Sequence, residues 1–485
     1  MKETNSAPTV SDFSSVISRI FRVACRWIFF AALIYAPWAY GATTSASIQV
    51  TDWILLAALV LWIVELLVSG RRPRFPKLLV FLTGALVCLG GWMVFNAKSI
   101  YDSDFFVFVP LRNFAPPLSG SVDYAISGAW MIRGALLLGV MWFVADLSQS
   151  DRWLLRLWYV IGVAGGSIAF LGLLQKATGA QMIFWQTPPS RLDLRISTFF
   201  ATYYYHGNAG AFLNLVWPLS AGLVIRAFSS RRRSGMRAIW TIILIVTIAG
   251  VLANTSRTAQ VVALLLVLVI CVQFGPAILR TLSGGRKSVA IAGVLAIVLA
   301  MVALAQSTHL EQPLNRWQSE GQRIASDARW RACRVAMGAL PDVGFFGFGP
   351  GTFRVVFPTY NIGSANEAPG TWRFLHEDYF QTLLEWGWLG SSLWCLLFFG
   401  GIAVGIFSYN KVARRDWTPR RRVMQPLVII ALIGVALHAL VDFPLQIESI
   451  QLYVATYLGL CWGSTMWREK FTAHRRNFVG QKSAV

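Results

Sequence analysis

Apolar runs of roughly 17 to 25 residues, long enough to carry a helix across a hydrocarbon layer, recur about twelve times along the chain. They are centred near Phe30, Leu59, Leu86, Leu137, Val163, Leu215, Leu244, Leu265, Val294, Leu396, Ile430 and Tyr457. In lipid each backbone N–H and C=O must find its partner without help from water, so runs of this length fold as helices. Composition agrees: the 485 residues are 56% hydrophobic, 14% aromatic and only 13% charged, far more apolar than a soluble domain. The expectation is an all-α polytopic membrane protein with about 12 transmembrane helices. An even count puts both termini on one side. Met1 to Ser18 is polar and the first apolar run follows Arg26 at the length of a span, so it reads as an anchor and not as a cleavable signal.

The formal net charge of +21 would fit nucleic acid only if the basic residues shared one solvated surface. They fall instead in alternate loops: Arg71, Arg72, Arg74 and Lys77; Arg231, Arg232, Arg233 and Arg237; Arg280, Arg286 and Lys287; Arg414, Arg415, Arg420, Arg421 and Arg422; then Arg468, Lys470, Arg475 and Arg476. The positive-inside rule makes those loops and both ends cytoplasmic, and no nucleic-acid partner is expected. The other loops, near 41–52, 96–123, 175–202, 254–257, 307–378 and 442–448, then lie outside. The six cysteines are scattered singly with no CxxC, so neither disulfide nor zinc is indicated.

The chain divides into N-terminal transmembrane helices over 1–190, a second membrane domain over 191–470 that includes the long external loop 307–378, and a tail over 471–485. No internal repeat of the kind common in transporters is visible. Within the long loop, Asp327, Arg331 and Arg334 recur at i, i+4 and i+7 among apolar neighbours. That spacing predicts an amphipathic helix over Arg323 to Leu340, stopped by Pro341. The run GFFGFGPGTF from Gly344 follows, a turn whose glycines let backbone N–H groups approach a ligand. It lacks the lysine and hydroxyl of a P-loop, which argues against nucleotide.

Arginine is the recurring external charge: Arg191, Arg195, Arg257, Arg316, Arg323, Arg329, Arg331, Arg334, Arg354 and Arg373, with Arg133 inside the fourth span. Any one of them could be a solvated loop charge or a snorkelling end. As a set they suit a diphosphate, because the guanidinium fork matches phosphate oxygens and keeps its charge. Arg133 is set apart, since an ionisable residue within a span usually faces a polar cavity. His376 opens a span at the end of the polar loop, in FLHEDYFQTLLEWGWLG. Near neutral pH its imidazole can take a proton from a hydroxyl. Asp102-Ser103-Asp104 has the spacing by which some glycosyltransferases hold a metal, but an ordinary turn explains three residues as well. His438 and Asp442 stand at i, i+4 and read as a structural clasp. No HExxH or GxSxG occurs, so zinc-protease and serine-hydrolase chemistry have no support.

Five blocks resemble the O-antigen ligase and polymerase family, the Wzy/WaaL-like membrane glycosyltransferases. They are LRISTFFATYYYHGNAGAFLNLVWPL from Leu194, NTSRTAQ from Asn254, SDARWRACRVAMGALPDVGFFGFGPGTF from Ser326, LHEDYFQTLLEWGWLG from Leu375 and LHALVDFPLQI from Leu437. The resemblance implies a helical enzyme of the bacterial inner membrane, without cofactor, nucleotide or obligatory metal. It would use a polyprenyl-diphosphate-linked glycan as donor and another glycan or a lipid A-core-like molecule as acceptor. His376 falls on the family's catalytic histidine, and Arg195, Arg257 and Arg329 fall on or near its arginines. Arg133 and Glu377 join them as expected substrate-binding residues, Glu377 as an extra acid beside the histidine. A flippase of lipid-linked glycan would also need many spans and phosphate-binding arginines, but it would not need the histidine.

Overall fold

The computed structural model describes residues 10–186, 199–229, 234–282, 328–364, 367–411 and 417–467. The chain is an all-α polytopic membrane protein: among the described residues, nine helices are long and apolar enough to cross a membrane. The helices in chain order begin with α1 (Val10–Trp38), α2 (Ser45–Ser69), α3 (Lys77–Phe95), α4 (Tyr124–Leu147), α5 (Asp151–Ala177), α6 (His206–Ser229), α7 (Ser234–Ala253) and α8 (Arg257–Leu282). After these come the short α9 (Ala328–Met337), α10 (Leu340–Val343) and α11 (Phe353–Gly363), then α12 (Asp378–Lys411), α13 (Pro419–His438) and α14 (Glu448–Gly463). Every expected span centre falls in one of these helices except Val294, which lies outside the described residues. Two of the expected spans are not among the nine: α1, which carries Arg19, Arg22 and Arg26, and α14, at 16 residues.

The short α14 is the axis of the bundle. All of it but Gln451 is buried, against α4, α12, α13 and α1. Its polar side chains reach carbonyls of the surrounding helices. Tyr453 donates to Leu33 (2.9 Å), Tyr457 to Leu215 (2.8 Å) and Trp462 to Leu397 (3.1 Å). Each buried pair adds about 1 kcal/mol, and loss of one partner costs about 1–3 kcal/mol. These bonds fix the register of α14, and with it the loop that precedes it.

Two local features go beyond the sequence reading. The segment after α3 carries a β-hairpin, β1 (Ser99–Asp102) antiparallel to β2 (Val107–Pro110), with Ser99 opposite Pro110 and Asp102 opposite Val107. Ile, Tyr, Val and Phe flank a polar turn there, the composition that favours paired strands. The amphipathic helix expected over 323–340 is split: α9 ends at Met337 and α10 starts at Leu340. Pro341 sits in the first turn of α10, where its missing N–H costs nothing. Residues 323–327 lie outside the described residues.

Candidate active site

His376 stands at the entry to α12 with a backbone φ of 62°, a left-handed conformation that strains a side-chain-bearing residue by about 1–3 kcal/mol. Its neighbours hold it there. The Leu375 N–H donates to Gln381 Oε1 (3.0 Å), and the Asp378 N–H donates to the Ala439 carbonyl (3.0 Å). The buried Asp378 carboxylate accepts from Leu445 N–H (2.8 Å) and Gln446 Nε2 (2.9 Å). The loop between α13 and α14 is thus fastened to the first turn of α12. This docking brings Asp442 to His376.

The Asp442 Oδ1 lies 3.0 Å from His376 Nδ1. The carboxylate is 3% exposed and the imidazole 20%. Burial acts to raise the Asp442 carboxyl, but the His376 and His438 imidazoles outweigh it and hold the group well below the usual carboxylate range. An ionised Asp442 can only accept, so Nδ1 carries the proton and Nε2 of neutral His376 keeps its lone pair. Three rings meet the imidazole edge to face: Phe443 at 4.5 Å, Trp372 at 5.8 Å and Tyr205 at 5.9 Å between centroids. They fix its plane.

The second Asp442 oxygen continues the network. Tyr205 donates its hydroxyl to Oδ2 (2.9 Å), and Arg329 on α9 donates to the same hydroxyl (2.8 Å). Burial, then the Asp442 charge, raises the Tyr205 hydroxyl far above its ordinary value, so it stays protonated and keeps donating. His376 and Arg329, distant in sequence, are therefore joined through Asp442 and Tyr205. The expected His438–Asp442 clasp is looser, at 3.7 Å, because α13 ends at His438 and Asp442 lies beyond it.

The other expected site residues occupy different places. Arg133 lies under a neighbouring cavity of about 1130 Å³, whose wall also includes Arg354, Arg373, Tyr205 and Phe443. Its Nε is 3.5 Å from Glu448 and its guanidinium lies over Trp130. Burial, followed by the charges of Arg354 and Arg133, lowers the Arg373 guanidinium, which marks a cavity crowded with positive charge. Arg257 is the first residue of α8. The turn before it is tied to the start of α6 by Asn254 Nδ2 donating to the His206 carbonyl (2.9 Å). Arg195 lies outside the described residues. Glu377 does not address the imidazole but accepts from the Phe380 N–H and so caps α12; burial raises its carboxyl despite that bond.

The glycine-rich turn also has a use other than the expected one. The Gly351 N–H donates to Glu385 Oε2 (2.9 Å) and the Phe353 N–H to Oε1 (3.3 Å). Phe348 and Gly349 donate to the Leu384 and Glu385 carbonyls, both at 2.9 Å. The Gly351 and Phe353 N–H groups thus receive a buried carboxyl of the protein itself, and the other two are taken by main-chain carbonyls. Asp102 is likewise committed, its Oδ1 accepting from the Asp104 (2.9 Å) and Phe105 (3.2 Å) N–H groups at the hairpin turn.

Sequence reading missed Asp442 as the partner of His376, and Tyr205 and Asp378 altogether. Tyr205 belongs to a Tyr-Tyr-Tyr-His run, and only a tertiary contact distinguishes it from its neighbours. No curated protein matches the chain. Residues 242–395 match the family model Wzy_C, described as O-antigen ligase. That stretch carries Arg257, Arg329 and His376, while Tyr205 and Asp442 reach the site from either side of it. The match makes residues 242–395 of this membrane protein similar to O-antigen ligase, the likeness that the sequence motifs also carry.

Proposed function

We propose that the chain is a membrane glycosyltransferase that takes its glycan from a polyprenyl-diphosphate-linked donor and passes it to a glycan or lipid A-core-like acceptor. His376 Nε2 removes the proton of an acceptor hydroxyl. That oxygen attacks the anomeric carbon, the bond from that carbon to the diphosphate oxygen breaks, and the diphosphate departs with the electron pair on Arg257 and Arg329. The observation that carries the reading is the 3.0 Å bond from Nδ1 to Asp442, which leaves Nε2 as the basic nitrogen; Tyr205 and Phe443, which pack on the imidazole, also line the neighbouring cavity with its arginines. The site is placed on the outer face of the bacterial inner membrane with both termini cytoplasmic, supported by the alternation of basic loops.

The test is His376→Ala, with donor binding and product formation measured on the same purified sample. Transfer should fall by about a hundredfold to ten-thousandfold, the usual cost of a lost general base, while donor binding persists. Normal transfer would remove the assignment. Glycan translocation without transfer in the unaltered protein would establish a flippase instead.

A further inference from the structure

At the end of the bundle opposite His376, α1, the start of α5 and the last turn of α2 enclose a cavity of about 930 Å³. Five arginines line it: Arg19, Arg22, Arg26, Arg152 and Arg156. Of these, only Arg22 is paired with a carboxylate among the described residues, at 2.7 Å from Glu65, and Glu65 is shared with Arg71 at 2.8 Å. Arg26 and Arg156 both lie over Trp153, at 4.8 and 4.4 Å, and Arg156 also faces Trp27 at 5.8 Å. Arg26 is only 8% exposed.

Orientation in the membrane requires basic residues near the interface, but it is satisfied by charges that reach out into water. It does not account for an arginine turned inward and buried with four more around the same cavity. Like charges gathered round one cavity repel, and the more so where burial lowers the dielectric. The tryptophan faces offset part of this. A bound anion would offset the rest. The arginines favour phosphate, whose oxygens accept from the guanidinium fork in pairs.

The surroundings of the cavity indicate what carries the phosphate. Val16, Ile20, Val23 and Trp27 recur at helical spacing on α1, and all four are exposed. Val23 and Trp27 also line the cavity. An apolar stripe thus runs from the charged chamber along the outside of the bundle. We propose that this cavity binds the phosphate headgroup of an anionic membrane phospholipid, with its acyl chains lying along α1. Arginine pockets between helices at the membrane edge suit such headgroups. The site is separate from the transfer chemistry, at the other end of the molecule.

The test is native mass spectrometry of the detergent-purified full chain titrated with phosphatidylglycerol, cardiolipin or phosphatidylcholine of matched acyl chains. Either anionic lipid should be retained about tenfold more than phosphatidylcholine. Arg19→Gln/Arg152→Gln changes two exposed positions and should remove that preference, whereas Arg112→Gln at the other end should keep it. Equal retention of all three lipids, or an unchanged preference in the double variant, overturns the proposal. Millimolar inorganic phosphate should leave the lipid in place. Displacement of the lipid by phosphate alone would overturn the lipid assignment and make a soluble anion the ligand.

Discussion

His376 is useful as a base only while Asp442 fixes its tautomer, so the residue scale turns on one carboxylate. Asp442→Asn keeps the shape of the side chain but can present an amide N–H to Nδ1, which would move the imidazole proton to Nε2. The expected result is a loss of at least about a hundredfold in kcat with donor binding little changed, read from single-turnover transfer and donor titration. An unchanged kcat would mean that the pair is merely structural. The same carboxylate gives a pH signature. A group held below its ordinary value stabilises the fold above its unfolded pKa of about 3.9 and loses that contribution as pH falls toward the folded value. The Tm of the unaltered protein should therefore approach that of Asp442→Asn as pH is lowered from about 5 to about 3. A difference in Tm independent of pH in that window would contradict the ionised pair. Asp102 leads to a prediction of the opposite kind. Its carboxylate already holds two backbone N–H groups at the hairpin turn, so EDTA should leave transfer largely intact. Complete loss restored by magnesium or manganese would promote Asp102 and Asp104 to a metal site.

At the scale of elements, the candidate site depends on a break in α12. Gly387 adopts φ 61° and ψ −170° inside the helix, and a Cβ there would come within 2.4 Å of the Gly347 nitrogen and 2.5 Å of the Phe345 carbonyl oxygen. The glycine turn and the helix meet backbone to backbone at that point, and Glu385 sits between them. Gly387→Ala should lower the Tm and the yield of folded protein together, by more than the ~1 kcal/mol of an ordinary helical glycine, because both contacts are with main chain. Glu385→Gln should cost about 1–3 kcal/mol, since its one amide oxygen can accept from only one of Gly351 and Phe353, and the other N–H then meets an NH₂ that cannot accept. Near-normal Tm in both variants would show that the turn is held by other means. This junction also marks where sequence reading stops. Apolar length located nearly every span, and the glycines were visible as a turn. Their partner was not, because which carboxylate fills a ring of N–H groups depends on how two elements dock. His438 and Asp442 were visible at i, i+4 for the same local reason. The helix ends at His438, and the closer partner of Asp442 is 66 positions earlier in the chain.

At the scale of the whole molecule the two ends carry different sites. Arg71 and the five-arginine cavity lie at one end of the bundle; His376 and the 1130 Å³ cavity lie at the other, where Val122 N–H donates to the Phe348 carbonyl (2.9 Å) and joins the hairpin segment to the glycine turn. Loops rich in arginine are retained on the cytoplasmic side during insertion, which orients every span between them. On the proposed function, a donor that keeps its diphosphate until transfer would meet His376 outside, where no nucleotide sugar is available and the leaving group itself would supply the driving force. The measurable consequence is a pair of single cysteines in a background whose six native cysteines are replaced by alanine. A membrane-impermeant maleimide applied to spheroplasts should label Asp104→Cys at the hairpin tip and spare Arg72→Cys until the membrane is opened. Labelling of Arg72→Cys alone would invert the molecule. His376 would then face the cytoplasm, and a glycan assembled outside could not reach it.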